Sequence, residues 1–289
     1  MKTAVAGPLS RDRNIIGGKS YERPGGVTYY SGIALARLGA DTLVLGTCGE
    51  DIPPWPENES ATLVRIPAAG TIEFINEYAT ADCDCRRQRA VVHENTITPA
   101  QLDPEELSKI GRIILGPLIH DNISPALVEF LAGFGKLALA VQGLIRYLEN
   151  GKIIWAKPER VLPMLPFCEY AAMDESELRF ISGREELDEG ARVLLDAGAA
   201  GLIVTRGSEG SVLYIDAKRY DIPAFGPQRI VDPTGAGDSY LAGFIRALDL
   251  YDDPVRQGEF AAMTATISLE NSGAFRGSAD SVLQRLGWG

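Results

Sequence analysis

The apolar positions of this chain fall into two alternating registers. Short, nearly continuous runs at Thr3–Gly7, Thr42–Gly46, Arg112–Leu115, Leu137–Val141, Tyr170–Met173 and Gly201–Thr205 predict strands buried on both faces, as in a parallel sheet. Between them, apolar residues recur every three or four positions over Val27–Gly39, Ser124–Ala132, Pro158–Met164, Glu175–Ile181 and Glu186–Ala197, which predicts helices. The same spacing returns over Gly235–Leu248, Val255–Glu270 and Ala279–Leu286. Ser211–Ile215 and Arg219–Ile222 flank Asp216-Ala217 as a hairpin at a sheet edge. Strands alternating with helices make this an α/β chain with a mostly parallel central sheet.

Two stretches break the alternation. Arg13–Arg23 alternates loosely around Gly17-Gly18, as a hairpin does, and ends at Pro24-Gly25-Gly26. Between Glu50 and Val92, Pro53, Pro54, Pro56 and Pro67 forbid a long helix, and Thr62–Ile66, Thr71–Tyr78 and Arg86–Val92 predict strands. Two β insertions in one α/β chain are expected to pair into a small sheet, either a lid over the carboxyl ends of the main strands or a set of surface hairpins.

Composition narrows the function. The chain has 289 residues, 28 Lys plus Arg against 39 Asp plus Glu, and a net charge of −11, which argues against a broad nucleic-acid or anionic-membrane surface. The apolar stretch after Met1 is too short for a signal peptide and no later run has membrane length, so a cytoplasmic protein is expected. Cys48, Cys83, Cys85 and Cys168 are expected to be structural thiols, and His93 and His120 have no metal-binding spacing.

The candidate chemistry gathers behind predicted strands, where open α/β sheets bind ligands. Val231-Asp232-Pro233-Thr234-Gly235-Ala236-Gly237-Asp238 is a small-residue turn opening a helix, and its free first amides suit phosphate. Asp238 beside such a turn would repel an anion, yet suits the base that deprotonates an attacking hydroxyl. An ordinary helix start explains the same residues. Thr205-Arg206-Gly207-Ser208-Glu209-Gly210 fits either nucleotide phosphates or a hairpin turn. Asp174 and Glu177 fit either a hydrated Mg²⁺ or a capping box. Asp12, Gly25-Gly26, Gln142 and Arg146 complete the set as candidate ligands for hydroxyls and phosphate.

Asp232-Pro233-Thr234-Gly235-Ala236-Gly237-Asp238 resembles the signature of the ribokinase-like (PfkB) family of carbohydrate kinases. The resemblance extends to Gly25-Gly26 before a helix ending Arg37-Leu38-Gly39-Ala40, to Asp174-x-x-Glu177, and to Thr205-x-Gly207-x-x-Gly210. Gly26-Val-Thr-Tyr-Tyr-Ser, Val141–Arg146 and Leu162–Pro166 look most like the myo-inositol kinase branch. The resemblance implies one ribokinase-like domain over 1–289, a three-layer core with a mostly parallel sheet, and a β lid from 10–24 and 60–93. It implies transfer from ATP to a polyol or sugar, with myo-inositol the first candidate, Asp238 as base and the Gly235, Ala236 and Gly237 amides as anion hole. Glu177 would serve the Mg²⁺ shell. Asp174, Thr205, Arg206, Gly207, Gly210 and Asn271 would bind the nucleotide, and Asp12, Gly25, Gly26, Tyr30, Gln142 and Arg146 the substrate. A monovalent cation such as K⁺ would adjoin the signature and the loop Asn271–Ala274, and the lid edge would favour a homodimer.

This chain departs from the family at two substrate positions. Tyr30 stands where ribokinase-type members have Asn, and Ala140 where the inositol branch has Asp. A nucleoside stacked on Tyr29 or Tyr30, or a non-catalytic sugar- or nucleotide-binding regulator, are the alternatives.

Overall fold

A computed structural model describes residues 2–16, 19–56, 60–78 and 86–288. In chain order the first elements are β1 Lys2–Pro8, β2 Ser10–Ile16, β3 Lys19–Gly25, α1 Val27–Arg37, β4 Thr42–Cys48, β5 Thr62–Pro67, β6 Ile72–Tyr78 and β7 Arg86–Val91. There follow α2 Pro104–Leu107, β8 Ile110–Leu115, α3 Pro125–Ala132, β9 Lys136–Ala140, α4 Gln142–Ile145, β10 Arg146–Glu149 and β11 Lys152–Trp155. The chain then runs β12 Cys168–Asp174, α5 Glu175–Ser182, α6 Leu187–Asp196, β13 Gly201–Thr205, β14 Ser211–Ile215, β15 Lys218–Ile222, α7 Ala236–Ala247, α8 Pro254–Leu269 and α9 Ala279–Leu286.

Nine strands form one sheet in the order β15-β14-β13-β12-β9-β8-β1-β4-β5, parallel from β5 to β13 and closed by the antiparallel pair β14 and β15. Each face carries its own core. On one, Leu127, Leu131, Met164, Leu178 and Leu194 pack on the sheet, and on the other Ala34, Leu38, Phe244, Phe260 and Ile267 do. This is the three-layer α/β architecture expected, and burial on both faces explains why its strands are apolar runs rather than alternations. Among the described residues no helix is long and apolar enough to cross a membrane.

The two insertions do pair. The small sheet runs β3-β2-β6-β7, with β2 parallel to β6 and hairpin pairings on either side. Its composition differs from the expectation in one strand: β5, within the 60–93 segment, joins β4 as the edge of the main sheet. Pro67 and the exposed side chains of β5 suit an edge. One outer strand of the lid, β7, is partly covered where the Ala90 N–H donates to the Gly151 carbonyl at 3.1 Å. Its opposite edge is β3.

Two local differences have plain causes. Pro158–Met164 is not a helix but two short 3₁₀ turns, Pro158–Arg160 and Leu162–Phe167, because Pro163 and Pro166 remove backbone donors. The β10–β11 hairpin went unread although Asn150-Gly151, both at positive φ, is a strong two-residue turn signal. Cys48 and Cys168 are buried free thiols, while Cys83 and Cys85 lie outside the described residues.

Candidate active site

The signature is a turn held from both sides. The Val231 and Asp232 amides donate to the Leu269 carbonyl at 2.8 and 3.2 Å, and the Ser31 hydroxyl donates to the Asp238 carbonyl at 2.9 Å. Gly235 caps α7 at φ 77°, and a Cβ there would stand 2.4 Å from Cδ1 of Tyr30. Only glycine satisfies both conditions. Of the three amides expected to hold an anion, that of Ala236 already donates to the Pro233 carbonyl at 3.3 Å. Gly237 and Asp238 sit in the first turn of α7, where the helix supplies no i−4 carbonyl.

This turn separates two cavities. On one side Pro233, Ala236 and Gly237 close a cavity of about 400 Å³. Its remaining wall is largely apolar, with Phe225 and Ile230 from the segment before the signature, Ala262, Ala265 and Leu269 from α8, and Thr205, Gly207, Ser208 and Gly210 at its rim. On the other side Pro233, Thr234, Gly235 and Asp238 close a second cavity of about 310 Å³, with Ser10, Asp12, Gly26, Gln142 and Arg146 among its polar lining. Val27, Tyr30, Phe74 and Leu118 give this second cavity an apolar wall, and Asn76 reaches it from the lid.

Asp12 is brought in by the lid. It lies on β2, 6% exposed, and accepts a hydrogen bond from the Ser10 hydroxyl at 2.8 Å. Gly25 stands close beside it, because a Cβ there would be 2.3 Å from Asp12 Oδ2. Gly25→Ala is therefore expected to displace the Asp12 carboxylate and, for a substrate whose hydroxyl that carboxylate binds, to raise the KM roughly tenfold, the worth of one charge-assisted hydrogen bond. Steady-state kinetics with each substrate varied in turn checks it.

Burial pushes the Asp238 carboxyl up to about 7; Arg146 opposes the shift, while Glu177 and Asp12 add to it. A carboxylate poised there is matched to proton abstraction near neutral pH. Glu177 is 2% exposed, and burial, then Asp174, raises its pKa as well. Its capping box with Asp174 is present in full: Asp174 Oδ1 accepts from the Glu177 N–H at 2.8 Å and Glu177 Oε2 from the Asp174 N–H at 2.9 Å. Gln142 donates to the other oxygen, Oε1, and so joins Glu177 to the polar cavity.

Several expected residues lie elsewhere. Arg206 is held by Glu175 at 3.2 Å and by Glu209, so its charge is already matched and it does not line the apolar cavity. Asp174 serves the cap and lines neither cavity. Asn271 donates to the Ile267 carbonyl at 3.0 Å, tying off the end of α8 instead of reaching the cavity. Tyr29 packs edge-on against Tyr30 and Trp55, with ring centroids 5.2 and 5.6 Å away, and does not line the polar cavity.

Sequence reasoning passed over Ser10, Phe74, Asn76 and Leu118 in the polar cavity and the α8 residues of the apolar one. The α8 residues had a signal: Ala262, Ala265 and Leu269 recur at helical spacing as small and apolar side chains, a pattern also expected of simple helix packing. Phe74 and Asn76 had none, because only the pairing of β6 with β2 brings them beside Asp12.

The chain is similar to known proteins. Residues 138–280 match the pfkB family carbohydrate kinases. A cytidine kinase of Thermococcus kodakarensis is 39% identical over 254 residues, 83% of this chain and 86% of that one. A nucleoside kinase of Methanocaldococcus jannaschii is 42% identical over 87 residues, and that match spans only 29% of each chain. Among solved structures, a pyrophosphate-dependent ribokinase-family kinase complexed with a pyrophosphate analogue and myo-inositol superposes with a TM-score of 0.82 over 99% of this chain and all of that one, at 20% identity. Arabidopsis thaliana ribokinase complexed with ribose and ATP gives 0.78 over 99% of each chain, at 18% identity. The chain belongs to the pfkB family of carbohydrate kinases and is a phosphotransferase acting on a hydroxyl group.

Proposed function

We propose that this enzyme transfers the γ-phosphoryl group of ATP to a hydroxyl of a nucleoside, with Asp238 as general base. The observation that carries the reading is the placement of the signature turn between an apolar cavity and a polar one, which would let a donor bind on one side of it and an acceptor on the other. The donor's base would fill the apolar cavity and its phosphates would reach the turn at Gly237. An inorganic pyrophosphate donor would leave that apolar volume unused, which favours a nucleotide.

The acceptor cavity favours a nucleoside over a polyol. A polyol presents hydroxyls on every side, whereas Val27, Tyr30, Phe74 and Leu118 form an apolar wall. A nucleobase can lie against that wall with its edge toward Asn76, leaving the sugar hydroxyls to Asp12 and Gln142. A relative that matches 83% of this chain at 39% identity is a cytidine kinase, in line with this assignment. Phe74, rather than Tyr29, takes the stacking role.

The chemistry is positioning and charge neutralisation. Asp238 accepts the proton of the acceptor hydroxyl as its oxygen bonds to the γ-phosphorus, the bond from that phosphorus to the β-bridging oxygen breaks, and ADP leaves. Arg146, which acts electrostatically on both Asp238 and Glu177, offsets negative charge on the acceptor side. Among the described residues no three of His, Cys, Asp and Glu converge as a metal cage. Mg²⁺ would be held mainly by donor phosphates and water and would neutralise phosphate charge, with Gln142, on the wall of the polar cavity and bonded to Glu177, as the side-chain contact to its hydration shell.

The test is a panel of acceptors with product read by phosphorus NMR. Turnover with ATP and a pyrimidine or purine nucleoside, and little with myo-inositol, ribose or fructose, is expected. A kcat/KM for myo-inositol above that of every nucleoside, or turnover with pyrophosphate exceeding that with ATP, would overturn the respective assignment.

A further inference from the structure

A monovalent cation is expected beside the signature and the loop after α8. In this chain that position holds a side chain. Arg23, near the end of lid strand β3, places Nη1 2.7 Å from Asp232 Oδ2 and donates from the same nitrogen to the Ser272 hydroxyl at 3.2 Å. The other Asp232 oxygen, Oδ1, accepts from the Thr234 N–H at 3.0 Å, and the Gly273 N–H points at Oδ2 from 3.5 Å. Three segments thus meet on one ion pair: the lid through Arg23, the signature through Asp232, and the loop after α8 through Ser272 and Gly273.

A K⁺ or Na⁺ ion at this junction would need Asp232 and surrounding oxygens turned toward it. Here the carboxylate is committed to a guanidinium and to backbone N–H groups, and a guanidinium so close repels a second cation. The donor set does not fit a metal ion. Both partners of the pair are largely shielded, with side chains 19% and 14% exposed, so salt screens it less than a surface bridge. Arg23 also stands opposite Asp12 in the β2–β3 register, so the residue that braces the signature is one strand away from the acceptor cavity.

We propose that Arg23 is a resident cation: its guanidinium occupies the place of a monovalent metal ion beside the signature, and it makes the enzyme indifferent to K⁺ while tying the lid to the phosphate-binding turn. Arg23 is a positioning residue, acting on the turn through Asp232. Because the pair spans the lid and the core, it holds β3, and with it the paired strand β2 that carries Asp12, against the signature, and it holds Asp232 beside Thr234 at the same time. The turnover part of the proposal rests on the kinase reading, whereas the stability part does not.

The experiment compares K⁺ with tetramethylammonium at equal ionic strength, following both melting temperature and kcat. For the wild type, the melting temperature is expected to be the same in both salts, and kcat to agree within about twofold, since no ion binds the folded state selectively. Arg23→Ala is expected to lose roughly tenfold or more in kcat, more than it changes either KM, because the turn it braces acts on the transferring group. Arg23→Lys, which keeps a cation at the same reach, is expected to restore most of that loss. Arg23→Ala is also expected to melt a few degrees higher in K⁺ than in tetramethylammonium, as Asp232 becomes open to an ion. A wild type whose melting temperature or turnover rises clearly with K⁺ would overturn the proposal, and this comparison stands even if Arg23→Ala fails to fold. Full turnover by Arg23→Ala in tetramethylammonium would overturn it equally. A wild type without activity on any acceptor, yet with a K⁺-independent melting temperature, would count against the kinase assignment and leave the resident cation supported.

Discussion

Asp238→Asn is expected to lose about 10²- to 10⁴-fold in kcat, the range for removal of a general base, while the ATP KM stays within about twofold. The split follows from the proposed assignment of the two cavities: Asp238 lines the polar one, proposed for the acceptor, while Ala236 and Gly237 line only the apolar one, proposed for the donor. The pH profile of the wild type carries the same information. With its carboxyl pushed up to about 7, chiefly by burial, Asp238 is increasingly protonated below neutrality. The kcat/KM should then fall about tenfold per pH unit on the acid side of 7, and Asp238→Asn should lack that limb.

The same substitution is expected to stabilise the protein at alkaline pH. A carboxyl whose folded pKa is raised binds its proton more tightly in the folded state. Its favourable contribution is complete below the ordinary carboxylate range and is lost as pH rises through about 7. Above 7 the folded protein carries a poorly solvated charge that Asn lacks. Asp238→Asn should therefore melt higher than the wild type at pH 8, by at most about 4 kcal/mol in stability, and the advantage should vanish toward pH 4. A variant less active and also less stable at pH 8 would point to a structural role for Asp238.

The second large effect belongs to Gly235. Gly235→Ala places a side chain at φ 77° and a Cβ 2.4 Å from the Tyr30 ring. The left-handed conformation costs roughly 1–2 kcal/mol and overpacking against a buried ring about 1–3 kcal/mol more. For a chain of this size the melting temperature should fall by about 3–8 °C, with turnover lost even where the protein remains folded. The two costs can be separated. In a Tyr30→Ala background the steric part disappears, so Gly235→Ala should cost measurably less there than in the wild type. Equal losses in both backgrounds would mean that Tyr30 does not press on the turn.

The sequence conveyed the main sheet because burial on both faces leaves apolar runs that can be read without partners. It conveyed the signature because Pro233, Gly235 and Gly237 restrict the backbone locally. Residues whose roles depend on tertiary pairing were harder to read. Arg206 has the composition of a phosphate ligand but is matched by Glu175 and Glu209. Asn271 looks like a ligand and closes a helix end. Arg23 looks like one more charge in a hairpin, and its contact with Asp232, more than 200 positions away, becomes visible only when the lid is folded onto the core. Phe74 and Asn76 follow the same rule. On the proposed function, the reaction is written in contiguous residues, whereas acceptor choice would be written across the junction of the small sheet and the core.

A crystal structure with a non-hydrolysable ATP analogue and the best nucleoside of the panel tests the two-cavity account most directly. The donor base is expected among Phe225, Ile230 and Ala265, the γ-phosphate beside the first turn of α7, and an acceptor hydroxyl within about 2.6–3.2 Å of the Asp238 carboxylate. A nucleoside bound away from Asp238, or a donor base lodged in the cavity of Asp12 and Asn76, would contradict it.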